Sequence, residues 1–559
     1  MADQENFTSK RDYFDKRLSA LKTEASGFTP YYKSLSEFIL PRRGRFDLAD
    51  RNKATVTHWN KIINNRATWA HGVARSGMFA GTMSPSRPWF ALETMDPGMM
   101  EFRPVQAWLK KVERVIYDIL AAGNFYSMAP QVLGELLLFG TGAMSHVDDF
   151  DHVARFYTHT AGGYYIFLDD KLEVVGLVRE FKMTTLQMVK EFGKENTSQI
   201  VQNAYGLGNY ETLHTVVHFI EPNPDHEPAR LGSRYKRWRS VKYDQGETDK
   251  DKFLSEAGFD QFPAYVPRWD VTGEDVYGTS CPAMVALGDI KQLQVEEKRK
   301  AQGIDKLVNP PLRGPASIKD KPVSSLPGGL NAYDGSQHGT KLEPVYTVDP
   351  KLQELGKDIE AVERRVDAAF MVDLFLAISR MEGIQPKNEM ELSNRDAERL
   401  LQLGPVLQRV HGEWLDKLID RIFGQALAAG ILPDPPQEIA GQELRTKYVS
   451  SLAQAQRAVA AQGIEQTVGF IAGLVEAGWE GAADKLDAVQ AVDEYARVIG
   501  APPNIIATDE EVAAKGQKRA QERQMAQMAE LAKTAGGAAA SGGAAIKSVA
   551  DAAQAGQGG

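Results

Sequence analysis

A strip of apolar residues in the second half of the chain constrains its fold more than any other feature. Leu352, Leu355, Ile359, Val362, Val366 and Ala369 recur at steps of 3, 4, 3, 4 and 3. That is the a/d spacing that keeps one face of a helix turned toward a neighbour. Lys357, Glu360, Arg364 and Arg365 cover the other faces. The pattern predicts one helix over residues 351–378, roughly 40 Å long at 1.5 Å per residue. Such a rod draws little stability from propensity alone, so its stripe requires a partner.

A partner is legible upstream. Residues 282–306 read as a second long helix, with Met284, Leu287, Ile290 and Leu293 marking one face. Between the two helices, residues 308–350 hold twelve Gly or Pro, a density that excludes helix and implies turns joined by short strands. The three segments together predict a hairpin of two long helices with a small β module at its tip.

The first 279 residues read as mixed. Helices are expected over 8–24, up to about residue 80, over 103–122 (Trp108, Val112, Val115, Ile116 and Ile119 on one face) and over 129–139, closed by Gly140-Thr141-Gly142. From 143 to 220 the pattern turns strand-like, with a hairpin of 164–168 and 174–178 and one helix over 184–193 capped by Thr184 or Thr185. Residues 214–220 and 234–243 read as further strands. Beyond the long helices, 379–392 reads as a polar loop. Ser393 and Asp396 open an apolar-periodic helix through Leu400, Leu407, Val410, Trp414, Leu418 and Ile422, with a kink at Gly404-Pro405. Pro433-Asp434-Pro435-Pro436 is a boundary, 445–500 reads as helical, and Thr508 opens a last helix. The final 26 residues contain 10 Ala and 7 Gly and read as disordered. The fold class is α+β, predominantly helical.

Chemical motifs are few. The chain has no phosphate loop, no His-Glu-x-x-His and no Gly-x-Ser-x-Gly elbow. Cys281 is the single cysteine, which excludes an internal disulfide and a cysteine-based zinc site. Neither a secretory signal nor an apolar run of about 18 residues is present, which predicts an intracellular protein without membrane insertion. His214 and His218 sit four apart among β-forming residues and read as strand positions rather than metal ligands. Gly206-Leu207-Gly208 reads as a turn. Asp148, Asp149 and Asp151 could serve a metal-dependent nucleic-acid enzyme, or simply form a polar turn between strands. Arg230, Arg234, Lys236, Arg237, Arg239 and Lys242, interleaved with Tyr235, Trp238 and Tyr243, have the composition of a nucleic-acid surface and equally of a solvated strand face. Lys298, Arg299, Lys300 and Lys306 end the first long helix, where they complement its dipole or border a DNA passage. A net charge of -9 confines any DNA contact to a local patch or a lined cavity.

Four phrases then carry a resemblance. They are Met83-Ser84-Pro85-Ser86-Arg87-Pro88-Trp89-Phe90, the stretch from Ala257-Gly258-Phe259 through Pro267-Arg268-Trp269, that from Tyr277-Gly278 through Gly288-Asp289-Ile290-Lys291, and Leu403-Gly404-Pro405-Val406-Leu407. In this order the chain resembles the phage head-to-tail connecting proteins, the portal proteins of podovirus type. The resemblance implies a dodecameric ring at one capsid vertex. It implies an N-terminal α+β wing (1–279), stem helices (280–306 and 351–378), a β-rich clip (307–350) and a tunnel loop (379–392). A kinked wing helix (393–432), a helical crown (433–507) and a C-terminal helix with tail (508–559) complete the subunit. It further implies passage of double-stranded DNA, docking of the terminase large subunit and later of a tail adaptor, and contact with capsid and scaffolding proteins. The location would be the virion, after assembly in the host cytoplasm, with no cofactor, no metal and no catalytic residue. Lys298, Arg299, Lys306, Arg380 and Lys387 are the DNA-channel candidates, and the six seam residues are the oligomer contact. The rival expectations are a nuclease built on the three aspartates and a structural scaffold without a channel.

Overall fold

The computed structural model describes residues 9–46, 61–149, 151–308, 310, 312–313, 343–344, 351–381, 403–439, 441, 444–450, 452, 464, 467–487, 490–492, 495, 512 and 518. The chain divides into two units, Met1–Gln456 and Arg457–Gly559. In the second, the described residues include helix over 467–476 and a 3-10 turn at Glu480–Lys485.

The first unit opens with α1 (Lys10–Ser26), whose N-cap Ser9 accepts from the Asp12 amide, and α2 (Thr29–Ile39). Then come α3 (Arg66–Met83), β1 (Phe90–Thr94), α4 (Arg103–Ala122) and α5 (Phe125–Phe139). The amphipathic stripe of α4 is confirmed: Val105, Trp108, Leu109, Val112, Ile116, Ile119 and Leu120 are buried. Helix α5 is apolar nearly all round, and every residue from Val132 to Phe139 is buried. It begins four residues before the expected 129, because Pro130 falls in its second turn and removes only one hydrogen bond. Gly140 ends it in the left-handed conformation.

Strands β2 (Ala143–Asp149) and β3 (Val153–His159) form a hairpin, joined by β9 (Ala264–Tyr265). A second, fully antiparallel sheet has the order β4-β5-β6-β7-β8: β4 (Tyr164–Leu168), β5 (Val174–Thr184), β6 (Leu213–Pro222), β7 (Trp238–Asp244) and β8 (Ser255–Phe259). Between β5 and β6 lie α6 (Thr185–Phe192), closed at its start by a full capping box from Thr184 and Gln187, and α7 (Gln199–Gly206). Strand alternation divides this sheet's faces. Val217, Phe219, Val241 and Tyr243 meet Phe14, Leu18 and Leu21 of α1. Val216 turns the other way, toward Met188 and Val201 of α6 and α7.

The two long helices follow: α8 (Pro282–Val308) and α9 (Leu352–Ala369). Of the β module between them, the described residues show β10 (Leu312–Arg313) paired with β11 (Glu343–Pro344). The expected continuous helix over 351–378 does not exist. Helix α9 ends at Ala369, Met371 takes a φ of 51°, and α10 (Val372–Met381) starts on a new axis. The break turns Phe370, Val372, Leu374 and Phe375 into the main core with α3 and α5, instead of leaving them along a narrow seam. Helix α10 also takes the first three residues of the expected loop 379–392, whose remainder lies outside the described residues.

Residues 403–410 are helical and run through a π-helical turn, His411–Leu415, into α11 (Asp416–Ala428). The described irregularity is the π turn, while the residues leading into the kink expected at Gly404-Pro405 lie outside the described residues. Residues 445–448, expected to be helical, instead lie in β12 (Leu444–Tyr448), which pairs with β1 in the register Phe90↔Tyr448 to Thr94↔Leu444. Similarly, 233–235 is a 3-10 turn, and the strand expected from 234 begins at Trp238. The Ser393 helix start, the Thr508 helix and the Ala/Gly tail fall outside the described residues, apart from isolated helical positions 512 and 518.

Candidate functional site

The apolar stripe of α9 packs within its own chain, against α8 and the main core. Ile359 is 4% exposed and Val362 and Val366 are fully buried. Ile359 and Val362 cluster with Leu293 of α8, with Leu355 against them, while Val366 and Ala369 join the main core. Leu352, nearest the tip, is half-buried. The Arg365 guanidinium donates to Asp289 Oδ1 at 2.8 Å. With Asp289 opposite Arg365 and Leu293 opposite Ile359 and Val362, α8 and α9 are antiparallel. Eighteen residues make α9 about 27 Å long.

The base of this helix pair is fastened by a segment that periodicity could not single out. Buried Gln294 accepts from the Ile63 and Asn64 amides at 2.7 and 2.9 Å and donates to the Asn64 carbonyl at 3.0 Å. Asn64 Nδ2 reaches Glu363 on α9 at 2.9 Å and Glu297 on α8 at 3.3 Å. Arg66 forks onto both carboxylate oxygens of Asp367. One short stretch before α3 thus bonds to both long helices.

Three of the four resemblance phrases mark close junctions in the core of the first unit. Tyr117 Oη accepts from the Trp89 and Phe90 amides and donates to the Phe90 carbonyl, each at 2.8 Å. Buried Arg268 donates to Glu413 in the π turn through Nη2 at 2.7 Å and to the carbonyls of Asp275 and Leu172. Gly278 and Gly140 pass so closely that a Cβ on either would lie 2.1–2.3 Å from the other's carbonyl oxygen. Cys281, buried at the foot of α8, has its thiol pushed up to about 12 by burial, which leaves it unreactive.

The charged candidates fare differently. Lys298, Arg299 and Lys306 are exposed on the tip half of α8. Arg380 lies in α10 with its side chain outside the described residues, as does all of Lys387. The basic run 230–242 does not stand free of acids: Arg230 pairs with Glu227, Lys236 with Asp260, Arg239 with Glu221 and Lys242 with Glu191. Arg237 lies over the Trp238 ring, 4.8 Å from its centroid. Glu227 lies just before the run and the other partners come from other segments, which is why the sequence run reads as more positive than the surface it makes.

The three aspartates lie at the end of β2 and in the turn to β3, as the polar-turn reading expects. Asp148 accepts from Arg421 at 3.2 Å and from Gln425, whereas Asp149 accepts from Arg155 at 2.7 Å and from the Asp151 amide at 2.9 Å. The hydrogen bond and charge of Arg155 lower the Asp149 carboxyl. Successive strand residues face opposite ways, so Asp148 and Asp149 do not converge. Among the described residues no group of three His, Cys, Asp or Glu is placed to hold a metal ion. His214 and His218 lie on β6 and bond to Thr185 Oγ1 at 3.0 Å and Ser240 Oγ at 2.8 Å. No helix among the described residues is long and apolar enough to cross a membrane.

Comparison with known proteins adds the decisive observation. A portal protein of Salmonella phage epsilon15 is 40% identical over 509 residues, covering 91% of each chain. A probable portal protein of Bordetella phage BPP-1 is 40% identical over 525 residues, covering 94% of this chain and 93% of that one. Among solved structures, a chain from the neck of an empty GTA particle aligns over 77% of this chain and 90% of that chain, at 14% identity and a TM-score of 0.35. The profile of the family described as bacteriophage head to tail connecting protein matches residues 11–506, and this chain belongs to that family.

Proposed function

We propose that the chain is one subunit of a portal ring at a phage capsid vertex, through which double-stranded DNA is packaged and ejected. The observation that carries this reading is the family match over residues 11–506, with portal proteins as 40%-identical relatives. The antiparallel pair α8–α9 is the proposed stem, now ending at Ala369, and 307–350 is the clip that docks the terminase large subunit and later the tail adaptor. Residues 382–392 form the tunnel loop, with α10 as its rigid support. The wing comprises 1–279 and 393–432, joined by β12 through its pairing with β1. The crown follows β12, up to about residue 507. The ring is a dodecamer, bound by capsid and scaffolding proteins in the host cytoplasm and retained in the virion.

The chemistry required of a DNA passage is weak phosphate contact, since many strong cation–phosphate contacts would hold the duplex in place. A chain with net charge -9 meets that demand. Lys298, Lys306, Arg380 and Lys387 are the proposed phosphate contacts. Negative-stain imaging of the purified chain tests the proposal. Closed rings with a central hole wide enough for duplex DNA are expected; monomers, or filaments without a through-hole, would overturn it.

A further inference from the structure

Facing away from the seam, the helix pair carries a second, exposed periodicity that its described residues leave largely uncovered, Gln292 alone reaching Arg365 and Glu296 of its own chain. On α8, Val285, Gly288, Gln292, Val295, Arg299 and Gln302 recur at steps of 3, 4, 3, 4 and 3. All six are exposed, Val285 by 65% and Val295 by 47%. They lie opposite the side that buries Leu287, Ile290 and Leu293. Gly288 sits well inside a helix, where glycine is disfavoured relative to alanine. Nothing among the described residues calls for it, because a Cβ there would meet no described atom within 4 Å. On α9, Glu354, Lys357, Ala361, Arg364 and Ala368 recur at steps of 3, 4, 3 and 4 on the side away from its own seam. Ala361 is half-buried and the other four are exposed.

The antiparallel register aligns these two stripes in height. With Asp289 opposite Arg365 and Leu293 opposite Ile359 and Val362, Ala368 stands level with Val285 and Gly288. Ala361 stands level with Gln292 and Val295, and Glu354 with Arg299. Val285, Gln292 and Val295 therefore match the small Ala368 and Ala361, and Arg299 meets the opposite charge of Glu354. Toward the tip, exposed Lys298, Arg299 and Lys306 of α8 face a first half of α9 that exposes Glu354, Asp358 and Glu360 beside Lys357. Rotation about a ring axis preserves height, so a heterologous contact between neighbours brings equal levels together.

We propose that the outward stripe of α8 seats on the outward stripe of α9 of a second copy, with Val285, Gly288 and Val295 against Ala368 and Ala361 and Arg299 paired with Glu354. This rests on the ring reading and assigns Arg299 to the subunit contact rather than to DNA.

The test uses the full chain carrying Val295→Cys with Ala361→Cys. A disulfide needs Cα atoms within about 7 Å. In one copy these positions lie on opposite outer sides of the helix pair, so a bond must join two copies. Buried Cys281 supplies no competing thiol. Mild oxidation should give a ladder of covalent multimers up to the full ring, absent from either single variant. Arg299→Glu should reduce the ring fraction, and Arg299→Glu with Glu354→Arg should restore it. Intact rings without a ladder, or failure of the charge swap to restore rings, would overturn the assignment and leave the ring standing. An unaltered chain that forms no ring would overturn both.

Discussion

Two glycines in α3 give a prediction whose sign the structure sets. Gly77 lies where α3 crosses α10, and a Cβ there would stand 2.4 Å from the Phe375 Cβ. Carbon atoms in contact keep about 3.5–4.0 Å apart, so Gly77→Ala forces the crossing open by more than 1 Å in a core where Phe375 is buried. Overpacking typically costs about 1–3 kcal/mol, and a forced shift of more than 1 Å against a Cβ places this site in the upper part of that range, about 2–3 kcal/mol. Against it stands the gain from replacing a helical glycine by alanine, about 1 kcal/mol. Packing wins, leaving a net loss of about 1–2 kcal/mol. Gly72, one and a half turns earlier, has nothing within 4 Å of a built Cβ, so Gly72→Ala keeps the propensity gain alone. Hydrogen exchange in the full chain, read at the α10 amides, should show protection reduced roughly 5- to 30-fold in Gly77→Ala, using about 1.4 kcal/mol per tenfold change. Gly72→Ala should leave protection unchanged or raised, and the melting order should be Gly72→Ala, then the parent, then Gly77→Ala. If Gly77→Ala melts above the parent, the close crossing of α3 and α10 is wrong, and with it the rigid support proposed for the tunnel loop.

Further outcomes follow from the buried charges and the seam. Burial lowers the imidazoles of His71, His146, His159 and His218, His71 to about 4. The folded state then binds fewer protons than the unfolded state between the two values, so stability is full above about pH 7 and falls as pH drops through 6.5 toward 4. For His71 alone the loss is roughly 3 kcal/mol. His71→Gln, which can keep the donor to the Gly134 carbonyl, should flatten the acid limb of a melting-temperature-against-pH curve, and an unchanged limb would exclude His71 from it. Glu221 is buried and pairs with both Arg17 of α1 and Arg239 of β7. Glu221→Ala leaves two half-buried guanidinium groups without their carboxylate and should cost about 1–3 kcal/mol, seen as early proteolytic release of α1; a normal digestion pattern would refute that anchoring. Val362→Ala, at a fully buried seam position, should cost roughly 2 kcal/mol and speed exchange across 352–369, whereas unchanged exchange would mean that the seam does not hold α9.

Much of the helical half was written locally. A 3-4 spacing is a property of neighbouring residues, and it placed Ile359, Val362 and Val366 on one buried face without knowledge of what covers them. The same holds for the stripe of α4, the N-cap expected at Thr184 or Thr185 and the hairpin of β4 and β5, each specified within a score of residues or fewer. The family phrases were legible too, although their role was not: Gly140 and Gly278 are 138 positions apart, and only their crossing explains the need for two glycines.

Tertiary structure decided what local pattern could not. No glycine or proline marks the break at Phe370 and Met371, because the helix ends there to carry Phe370 and Phe375 into a core built by α3 and α5. Residues 444–448 became a strand because β1, more than 350 residues earlier, offers an unpaired edge. The basic run 230–242 lost its excess charge to acids at 191, 221, 227 and 260, and Asn64 joined both long helices through single hydrogen bonds that leave no periodic trace. Periodicity records which face of an element is buried. The identity of the burying partner depends on contacts across hundreds of residues, and those exist only once the chain has folded.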